Sequence, residues 1–320
     1  MDFPGTRLPP GRLTSLLIAL LLVPIAPAAS GEPFRVLSQN MDQLFDNVDD
    51  GNNERIISTK QFRKRVKSAA KKFGKRFGLP HIIALQEVEN LNVLRQIAAE
   101  IRDRYQVRYR PVLLPGQDTS GINLAFLVRH EVKIKNVDQL FTNKVFKMTG
   151  KPLFTRPPLY LEACFLENCL SLVNLHLRSM RGIGSGERVA RKRLGQAETI
   201  AAWSNRFQQS RKGESLLLLG DFNALTPSDR HVDIAGIISG SPDNTAARLS
   251  APDLVEPDLV DLTRLIPATM RYSFIYRQQK QQLDYMFINR DFAADVEAIE
   301  FSHIDYHFSD HAGLLAWFSW

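Results

Sequence analysis

Apolar residues recur along the chain in short, β-rich blocks that predict strands. Turns or amphipathic stretches separate the blocks. One block, SLLLLGDFN, has four consecutive leucines, which is typical of a strand covered on both faces. The blocks are FRVLSQN, HIIALQEV, INLAFLVR, VKIKNV, LYLEACFL, LSLVNLHL, SLLLLGDFN, QLDYMFIN and LLAWFSW.

Three stretches between these blocks have helical spacing instead: residues 60–77, 90–104 and 187–208. The first places on one face the apolar residues Phe62, Val66, Ala69, Phe73 and Phe77. The third is expected to turn inward Leu194, Ala197 and Trp203. Because helices mix with strands, and no repeat or long linker interrupts them, one layered α/β domain is predicted.

Polar side chains stand at one end of six predicted strands. They are Gln39–Asn40, Gln86–Glu87, Asn174 with His176, Asp221 with Asn223, Asp284, and Ser309–Asp310–His311. Any one of them alone is typical of a turn residue that binds its own backbone. Six together, if the strand ends share one edge of a sheet, predict a cluster of carboxylates, amides and imidazoles above an apolar floor.

Such a cluster suits a hard cation, because carboxylate and amide oxygens favour Mg²⁺, Mn²⁺ or Ca²⁺ over zinc. Magnesium needs only one or two protein carboxylates, a demand that Glu87 meets with Asp310 and Asn40 in support. A histidine beside carboxylates can take a proton from water. The predicted chemistry is attack on a phosphorus centre with Mg²⁺ as cofactor, Mn²⁺ and Ca²⁺ being alternatives.

The N-terminus has the pattern of a secretory signal peptide over residues 1–30. Arg7 and Arg12 precede the apolar run LTSLLIALLLVPIAP, and small residues follow it. Cleavage between Ala28 and Gly31 would leave a single catalytic domain over residues 31–320, in a secreted or periplasmic protein. A retained N-terminal anchor is the alternative.

Export agrees with the presence of only two cysteines, Cys164 and Cys169. They flank LEN between two β-rich segments, which predicts a hairpin that brings them within disulfide reach. A disulfide is the favoured hypothesis in an oxidising compartment, and two buried free thiols are the alternative. The formal net charge of +7 leaves an anionic partner open: nucleic acid, a phosphorylated substrate or a membrane surface.

The sequence resembles the endonuclease/exonuclease/phosphatase superfamily, which includes pancreatic-type deoxyribonucleases, repair exonucleases, secreted sphingomyelinases and inositol-phosphate phosphatases. The matching blocks cover nearly all of residues 34–320 in the family's order: SQNMDQLFD, IIALQEVEN, GINLAFLVR, TRPPL, VNLHLRS, LLLLGDFNA, QQLDYMFIN and SDHAGLLAWF. The resemblance implies a hydrolase of phosphoric esters. It also implies a four-layer α/β sandwich, with two mixed sheets face to face and helices outside.

The resemblance also implies residue roles. Glu87 would be the principal metal ligand, with Asn40 and Asp310 completing the site. His311 would be the general base that activates the attacking water, oriented by Asp284.

The remaining roles concern the phosphate. Asp221 and Asn223 would orient the water and stabilise the transition state, and Arg156 in TRPPL would contact the phosphate. His176 would bind the scissile phosphate and protonate the leaving oxygen. The chain departs from the deoxyribonuclease branch here, because TSGIN precedes LAFLVR where that branch has a tyrosine and the acid that pairs with this histidine.

Basic charge and predicted export favour nucleic acid as the substrate, and two basic segments bear on this choice. One follows His176 and contains Arg178, Arg181, Arg188, Arg191, Lys192 and Arg193, of which Arg178 and Arg181 are the favoured phosphate ligands. The other is the helix over residues 60–77, with nine basic and no acidic residues between Lys60 and Arg76. For this helix a solvated outer face is the favoured interpretation, and contact with nucleic acid or an anionic surface is the alternative. For the segment after His176 a solvated basic face is the alternative.

The hypothesis is therefore a secreted, metal-dependent phosphodiesterase, most simply a non-specific DNA endonuclease. We expect a monomer without a stable protein partner. Alternatives are a sphingomyelinase-like enzyme acting on membrane lipid, disfavoured because no exposed aromatic-rich hairpin is recognised, and a catalytically idle binding protein.

Overall fold

Two six-stranded sheets form the centre of the protein. The computed structural model describes Met1 and residues 33–51, 54–225, 229–242 and 245–320. The predicted signal peptide, apart from Met1, lies outside these residues, so it stays a prediction. Residues Pro33–Trp320 form one compact unit.

The strands are β1 (Phe34–Leu44), β2 (Ile82–Val88), β3 (Tyr109–Leu113), β4 (Asn123–Arg129), β5 (Lys133–Gln139), β6 (Val145–Phe146), β7 (Lys151–Pro152), β8 (Leu159–Phe165), β9 (Asn168–His176), β10 (Ser215–Asp221), β11 (Val260–Asp261), β12 (Phe274–Tyr276), β13 (Gln279–Gln281), β14 (Asp284–Ile288), β15 (Val296–Phe301) and β16 (Leu314–Phe318). The helices are α1 (Thr59–Lys75), α2 (Leu91–Tyr105), α3 (Glu187–Ser210) and α4 (Ile234–Ser239). Short 3₁₀ turns cover Leu262–Leu265, Ala268–Met270 and Arg290–Asp295.

Each large sheet contains one parallel pair of strands joined by a long helix. The first sheet has the order β15-β16-β1-β2-β4-β3, and only β1 and β2 run parallel. The second has the order β11-β14-β10-β9-β8-β5, and only β9 and β10 run parallel. Parallel neighbours require such a crossover, which α1 supplies in the first sheet and α3 in the second.

The sheets pack face to face and a helical layer covers each outer face. One core cluster joins side chains of both sheets, such as Val36 and Leu172. A second lies between the first sheet and α1 with α2, and a third between the second sheet and α3 with α4. The predicted four-layer α/β sandwich is confirmed.

The predicted helices form close to their expected bounds. In α1 the capping box of Ser58 and Gln61 fixes the start, and all five predicted apolar residues are buried. In α3 Ala197 is buried, whereas Leu194 and Trp203 only pack partly against the core. The helix turns Arg193 and Gln196 inward instead.

The predicted hairpin around LEN is formed by β8 and β9, with Cys164 opposite Cys169. The two cysteines are joined by a disulfide with an S–S distance of 2.09 Å. Within the described part of the chain, no helix has the length and apolarity needed to cross a membrane.

Candidate active site

The carboxyl ends of the two parallel pairs meet where the sheets face each other. β1 delivers Asn40, β2 Glu87, β9 His176 and β10 Asp221. The Asn40 side-chain nitrogen lies 3.1 Å from Asp221 Oδ2 and 3.3 Å from Glu87 Oε1, so one amide links the two sheets. Because strand direction places the ends of a parallel pair at the same edge, this clustering follows from the topology.

A second group reaches the same point from antiparallel strands. Asp284 begins β14 opposite Asp221, and His311 lies just before β16. His311 Nδ1 is 2.7 Å from Asp284 Oδ2, and its Nε2 is 4.0 Å from Asp221 Oδ2. Ser309 Oγ donates to the backbone oxygen of Asn40 at 2.7 Å and accepts from His311 N–H, which anchors the SDH segment to β1.

His176 approaches Asp221 from the opposite side. Its Nε2 lies 3.5 Å from Asp221 Oδ2 and 3.7 Å from Glu87 Oε1. Its Nδ1 is buried and has no hydrogen-bond partner among the described residues. Burial, then the charges of Arg156 and His311, lower the pKa of His176 well below its usual value, so the imidazole is neutral.

Gly220 and Asp221 follow the four leucines and end β10, and the chain turns directly after them. Gly220 has φ +134°, and a Cβ there would lie 2.1 Å from the backbone oxygen of Leu175, so only glycine fits. Asp221 Oδ1 accepts from Asn223 N–H at 2.8 Å, a side-chain turn. The Asn223 amide donates to the Leu177 oxygen at 3.2 Å, so the structure uses this side chain to bind the end of the neighbouring strand.

A backbone N–H, rather than a lysine or arginine among the described residues, holds the Glu87 carboxylate. Glu87 adopts φ +60°, an unusual conformation for a residue other than glycine, beside a register shift between β2 and β4. Its Oε2 accepts from Gln43 N–H at 2.9 Å. The Arg65 guanidinium from α1 donates to the oxygens of Gln43, at 2.9 Å, and Met41. Sequence reasoning missed this positioning role, because Arg65 stands in a row of basic residues that all look solvated.

The arginine predicted to contact phosphate is partly engaged. Arg156 pairs with Asp118 at 2.6 Å and donates to the backbone oxygens of His176 and Leu177, both at 3.3 Å. Asp118 immediately precedes TSGIN. In pancreatic-type deoxyribonucleases, an acid near this position pairs with the second histidine. Here Asp118, the nearest acid, binds Arg156 and not His176.

Two further arginines lie beside this pair. Arg178 donates to Ser179 Oγ and to the oxygen of Arg181, and burial together with Arg156, Arg188 and Arg181 lowers its pKa. Arg181 is exposed. They form a positive rim beyond His176.

Several residues from the six predicted strand ends lie outside this site. Asn174 and Gln86 are fully buried: Gln86 Nε2 donates to Asn174 Oδ1 at 2.7 Å, and Asn174 Nδ2 donates to Leu85 and Ala125 oxygens, which ties the sheets together. Gln39 donates to the backbone oxygens of Asn40 and His311. Asn174 shares a face of β9 with His176, and Gln86 is the neighbour of Asn40 across the parallel pair, so these two amides lie deeper between the sheets. Gln39 lies on the opposite face of β1, because side chains alternate along a strand.

Arg193 corrects the expectation of a phosphate ligand. It is 1% exposed, pairs with Asp229 at 2.8 Å and donates to the oxygens of Arg178 and Asn223. It therefore holds the loop after β10 and cannot reach a substrate. Val189 and Ala197 stand four residues before and after Arg193 on the same face of the helix, and both are buried. This spacing is the sequence signal for the burial of Arg193.

The electrostatics of the cluster suit a cation. Burial raises the pKa of Asp310, His311 opposes this, and Asp42 and Glu87 raise it further. Burial, with Asp284 and Glu87, raises the pKa of Asp221 to about 7. Four carboxylates, Glu87, Asp221, Asp284 and Asp310, thus share one edge, and a divalent cation would offset their mutual repulsion. Glu87 and Asp310 offer carboxylate oxygens of the kind that Mg²⁺ or Mn²⁺ requires. Asn40 Oδ1, which accepts from Asp42 N–H at 2.9 Å, is a further oxygen beside them.

Comparisons with known proteins agree with this geometry. A family model described as the Endonuclease/Exonuclease/phosphatase family matches residues 35–298. D. rerio TDP2 humanized by 14 mutations is similar with a TM-score of 0.58 and 15% identity, over 89% of this chain and 98% of that chain. D. rerio TDP2 complexed with a single-strand DNA product gives 0.57 and 15%, over 90% and 99%. The human Nocturnin catalytic domain with bound sulfate gives 0.51 and 18%, over 90% and 94%. A search of the curated proteins found no match.

The chain belongs to the endonuclease/exonuclease/phosphatase family, as the sequence resemblance indicated. Members of this family are hydrolases that act on phosphoric ester bonds and generally use divalent metals. The protein is a hydrolase of this class. At these identities the solved structures establish the shared fold.

Proposed function

We propose that the protein is a secreted, divalent-metal-dependent phosphodiesterase that cleaves nucleic acid, with DNA as the favoured substrate and no sequence specificity. The observation that carries the proposal is the pairing of His311 with Asp284 at 2.7 Å, directed at Asp221 and the carboxylate edge. A nuclease site needs a proton acceptor beside a place for phosphate and cation, and this arrangement supplies both.

The chain's own residues divide the chemistry between them. His311, when neutral, accepts the proton of the attacking water, and Asp284 then stabilises the imidazolium. Asp221 orients the water from between the two histidines. Neutral His176 donates a hydrogen bond through Nε2 to a phosphate oxygen. Glu87, Asn40 and Asp310 would hold a divalent cation, which when bound polarises the phosphate and stabilises the charge of the leaving oxygen.

Positive charge on both sides of the edge supports a polyanionic substrate. Beyond His176 lie Arg178 and Arg181. On the α1 side a cavity of about 290 Å³ is lined by Arg55, Lys64 and the exposed Tyr306, and its wall includes Gln43, whose N–H binds Glu87. Basic groups bind backbone phosphates irrespective of sequence, and an exposed tyrosine offers a surface for stacking a base. One TDP2 structure contains a single-strand DNA product.

One feature favours the alternative of a lipid head-group phosphodiesterase. The hairpin of β12 and β13, which the sequence reasoning did not recognise, carries Tyr276, 50% exposed, and packs Phe274 5.1 Å from the His311 ring. Leu265 and Met270 nearby are also exposed. However, Arg277 lies against the Tyr276 ring and Lys280 against Tyr272, so the hairpin presents cations as well as apolar surface.

A comparison of substrates separates these functions. Purified mature protein is incubated with plasmid DNA, single-stranded DNA, RNA and sphingomyelin vesicles, with Mg²⁺, Mn²⁺ or EDTA. We expect DNA nicking with metal and none in EDTA. Release of phosphocholine without nucleic-acid cleavage would favour the lipid enzyme, and no hydrolysis of any substrate would favour an idle binding protein. Recovery of the chain from the culture medium or periplasm, cleaved before Gly31, would test secretion.

A further inference from the structure

The His311–Asp284 pair joins the two sheets. Asp284 begins β14 in the second sheet, whereas His311 lies just before β16 in the first sheet. Hydrogen bonds between strands hold neighbours within one sheet, but they do not set how two sheets lie relative to each other. The 2.7 Å contact between His311 Nδ1 and Asp284 Oδ2 therefore depends on how these two strand ends are held across the sandwich.

Ser273, the residue before β12, binds the backbone on both sides of this pair. Its Oγ accepts from the backbone N–H groups of Leu283, at 3.0 Å, and of Asp284, at 3.1 Å. Its backbone oxygen accepts from the N–H of Ala312, the residue after His311, at 2.7 Å. One residue therefore ties the start of β14 to the segment that carries the histidine.

The position of the Ser273 hydroxyl is itself fixed. Ser273 is 0% exposed, and its N–H donates to the oxygen of Gln281 at 2.9 Å, at the base of the β12–β13 hairpin. A serine hydroxyl oxygen has two lone pairs, and the two N–H bonds that it accepts use both of them. The hydroxyl is therefore held by the hairpin on one side and by the start of β14 on the other.

Other contacts of the histidine segment lead to the first sheet. Gln39 Nε2 donates to the His311 oxygen at 3.3 Å, and Ser309 Oγ donates to the Asn40 oxygen at 2.7 Å. These two bonds hold the histidine relative to β1. On the hairpin side the ring of Phe274, the residue after Ser273, lies 5.1 Å from the imidazole. The bonds of Ser273 add the link from this segment to the second sheet.

We propose that Ser273 is a positioning residue that sets the distance between the Asp284 carboxylate and the His311 imidazole. This inference rests on the proposed function, in which that pair transfers the proton of the attacking water. Without the Ser273 hydroxyl, the N–H groups of residues 283 and 284 lose an acceptor, and the start of β14 is free to move away from the histidine. A displacement of about 1 Å in a catalytic group lowers a rate by about 10²-fold.

A double-mutant cycle separates positioning from stability. Ser273→Ala should lower kcat for DNA cleavage by about 10- to 100-fold with little change in KM. Ser273→Thr, which keeps the hydroxyl, should retain most of the activity. In the Asp284→Asn background, Ser273→Ala should change kcat by less than about threefold, because the pair that it positions is already broken. Equal fold losses in both backgrounds would overturn the proposal.

Ser302→Ala is the matched control. Ser302 is 8% exposed, and its Oγ accepts from Gly313 N–H at 2.9 Å, so it holds the other end of the same segment without contacting the His311–Asp284 pair. Each alanine variant removes an acceptor from buried backbone N–H, so both should lower the Tm. Only Ser273→Ala should lower kcat. An equal loss of kcat in Ser302→Ala would mean that any loosening of this segment lowers activity, which contradicts a specific role of Ser273.

Proton NMR of the metal-free protein tests the positioning without turnover. The His311 Nδ1–H proton, hydrogen-bonded to Asp284, should give a far-downfield resonance that is absent in His311→Ala. Ser273→Ala should move this resonance upfield or broaden it, and Ser302→Ala should not. If Ser273→Ala does not fold, Ser273→Cys, a weaker acceptor of similar volume, should give a smaller change in the same direction.

This measurement keeps two failures apart. A wild type that hydrolyses none of the substrates would contradict the proposed function, whereas the resonance would still report the contact between His311 and Asp284. An unchanged resonance in a folded Ser273→Ala or Ser273→Cys variant would overturn the positioning role, whatever the substrate.

Discussion

The two histidines of the site stand on opposite sides of Asp221 and differ in protonation. Burial opposes a proton on His311, but Asp284, its hydrogen bond, Asp221 and Asp310 outweigh burial and raise the pKa to about 10. On the other side, burial and Arg156 lower the pKa of His176. One imidazole has an acid on its Nδ1, whereas the other has no described partner there.

This difference assigns roles that the residue type cannot. A histidine paired with a carboxylate can accept a proton and remain stable as imidazolium, which is what a general base requires. A buried histidine with a lowered pKa is neutral and therefore a weak proton donor, so its N–H is better suited to binding phosphate. The general-acid role that the resemblance implied stays a prediction. In the proposed mechanism, the two sides of Asp221 therefore correspond to proton transfer and to phosphate binding.

The largest expected effect comes from removing the base. His311→Ala should lower kcat for DNA cleavage by about 10⁴-fold, the upper range for loss of a general base, with little change in KM. Steady-state kinetics with Mg²⁺ measure it. His303→Ala, at an exposed histidine eight positions earlier, is the control and should retain activity. A loss below tenfold in His311→Ala would remove this residue from the proposed role.

Asp284→Asn should have the next largest effect, about 10²–10⁴-fold in kcat, because the amide cannot stabilise the imidazolium. It should also move the pH profile. His311 works when neutral, so kcat/KM rises as pH increases through its pKa. Without the Asp284 charge the pKa of His311 falls, so kcat/KM should rise at lower pH in the variant than in the wild type. A bound cation lowers the pKa of His311 in the wild type and in the variant alike, so it does not change this comparison. An unchanged midpoint would show that another group titrates. Asp291→Asn, at an exposed position, is the control.

Replacing His176 should have a smaller effect and a different signature. His176→Ala should lower kcat by about 10²-fold, and His176→Gln should recover part of it, because an amide N–H can replace a neutral imidazole donor. The shape of the pH profile should be the same in all three proteins. If His176 were the general acid, the wild type would lose activity at high pH and the variants would not show that decline.

The sequence predicted the positions of Asn40, Glu87, Asp221 and His311, because strand ends and ordered motifs are local signals. It could not predict the split between the histidines, since this depends on Asp118 turning to Arg156 and on how deeply His176 is buried. The depth of each side chain between the sheets was equally hidden. Asn174 stands two residues before His176 on the same face of the strand, yet it lies deeper between the sheets and binds backbone oxygens of the other sheet instead of reaching the site.

Basic residues gave the least reliable signal. A run of lysines and arginines looks uniform in sequence, but Arg193 is a buried structural ion pair, Arg65 positions the loop beside Glu87, and Arg181 is exposed. Long side chains reach whichever partner the tertiary structure offers, so their roles are set after folding.

The smallest effect should come from the arginine rim on the His176 side. Arg178→Gln with Arg181→Gln should raise KM for DNA several-fold and leave hydrolysis of bis(p-nitrophenyl) phosphate unchanged, because that small ester cannot span the rim. The slope of log KM against log salt should fall by about 0.7–0.9 for each lost phosphate contact. Lys67→Gln with Lys71→Gln, the same charge change on the exposed face of α1, is the matched control. Equal effects of both pairs would mean that net charge alone attracts the substrate, and that the phosphate-binding side of the site ends at His176.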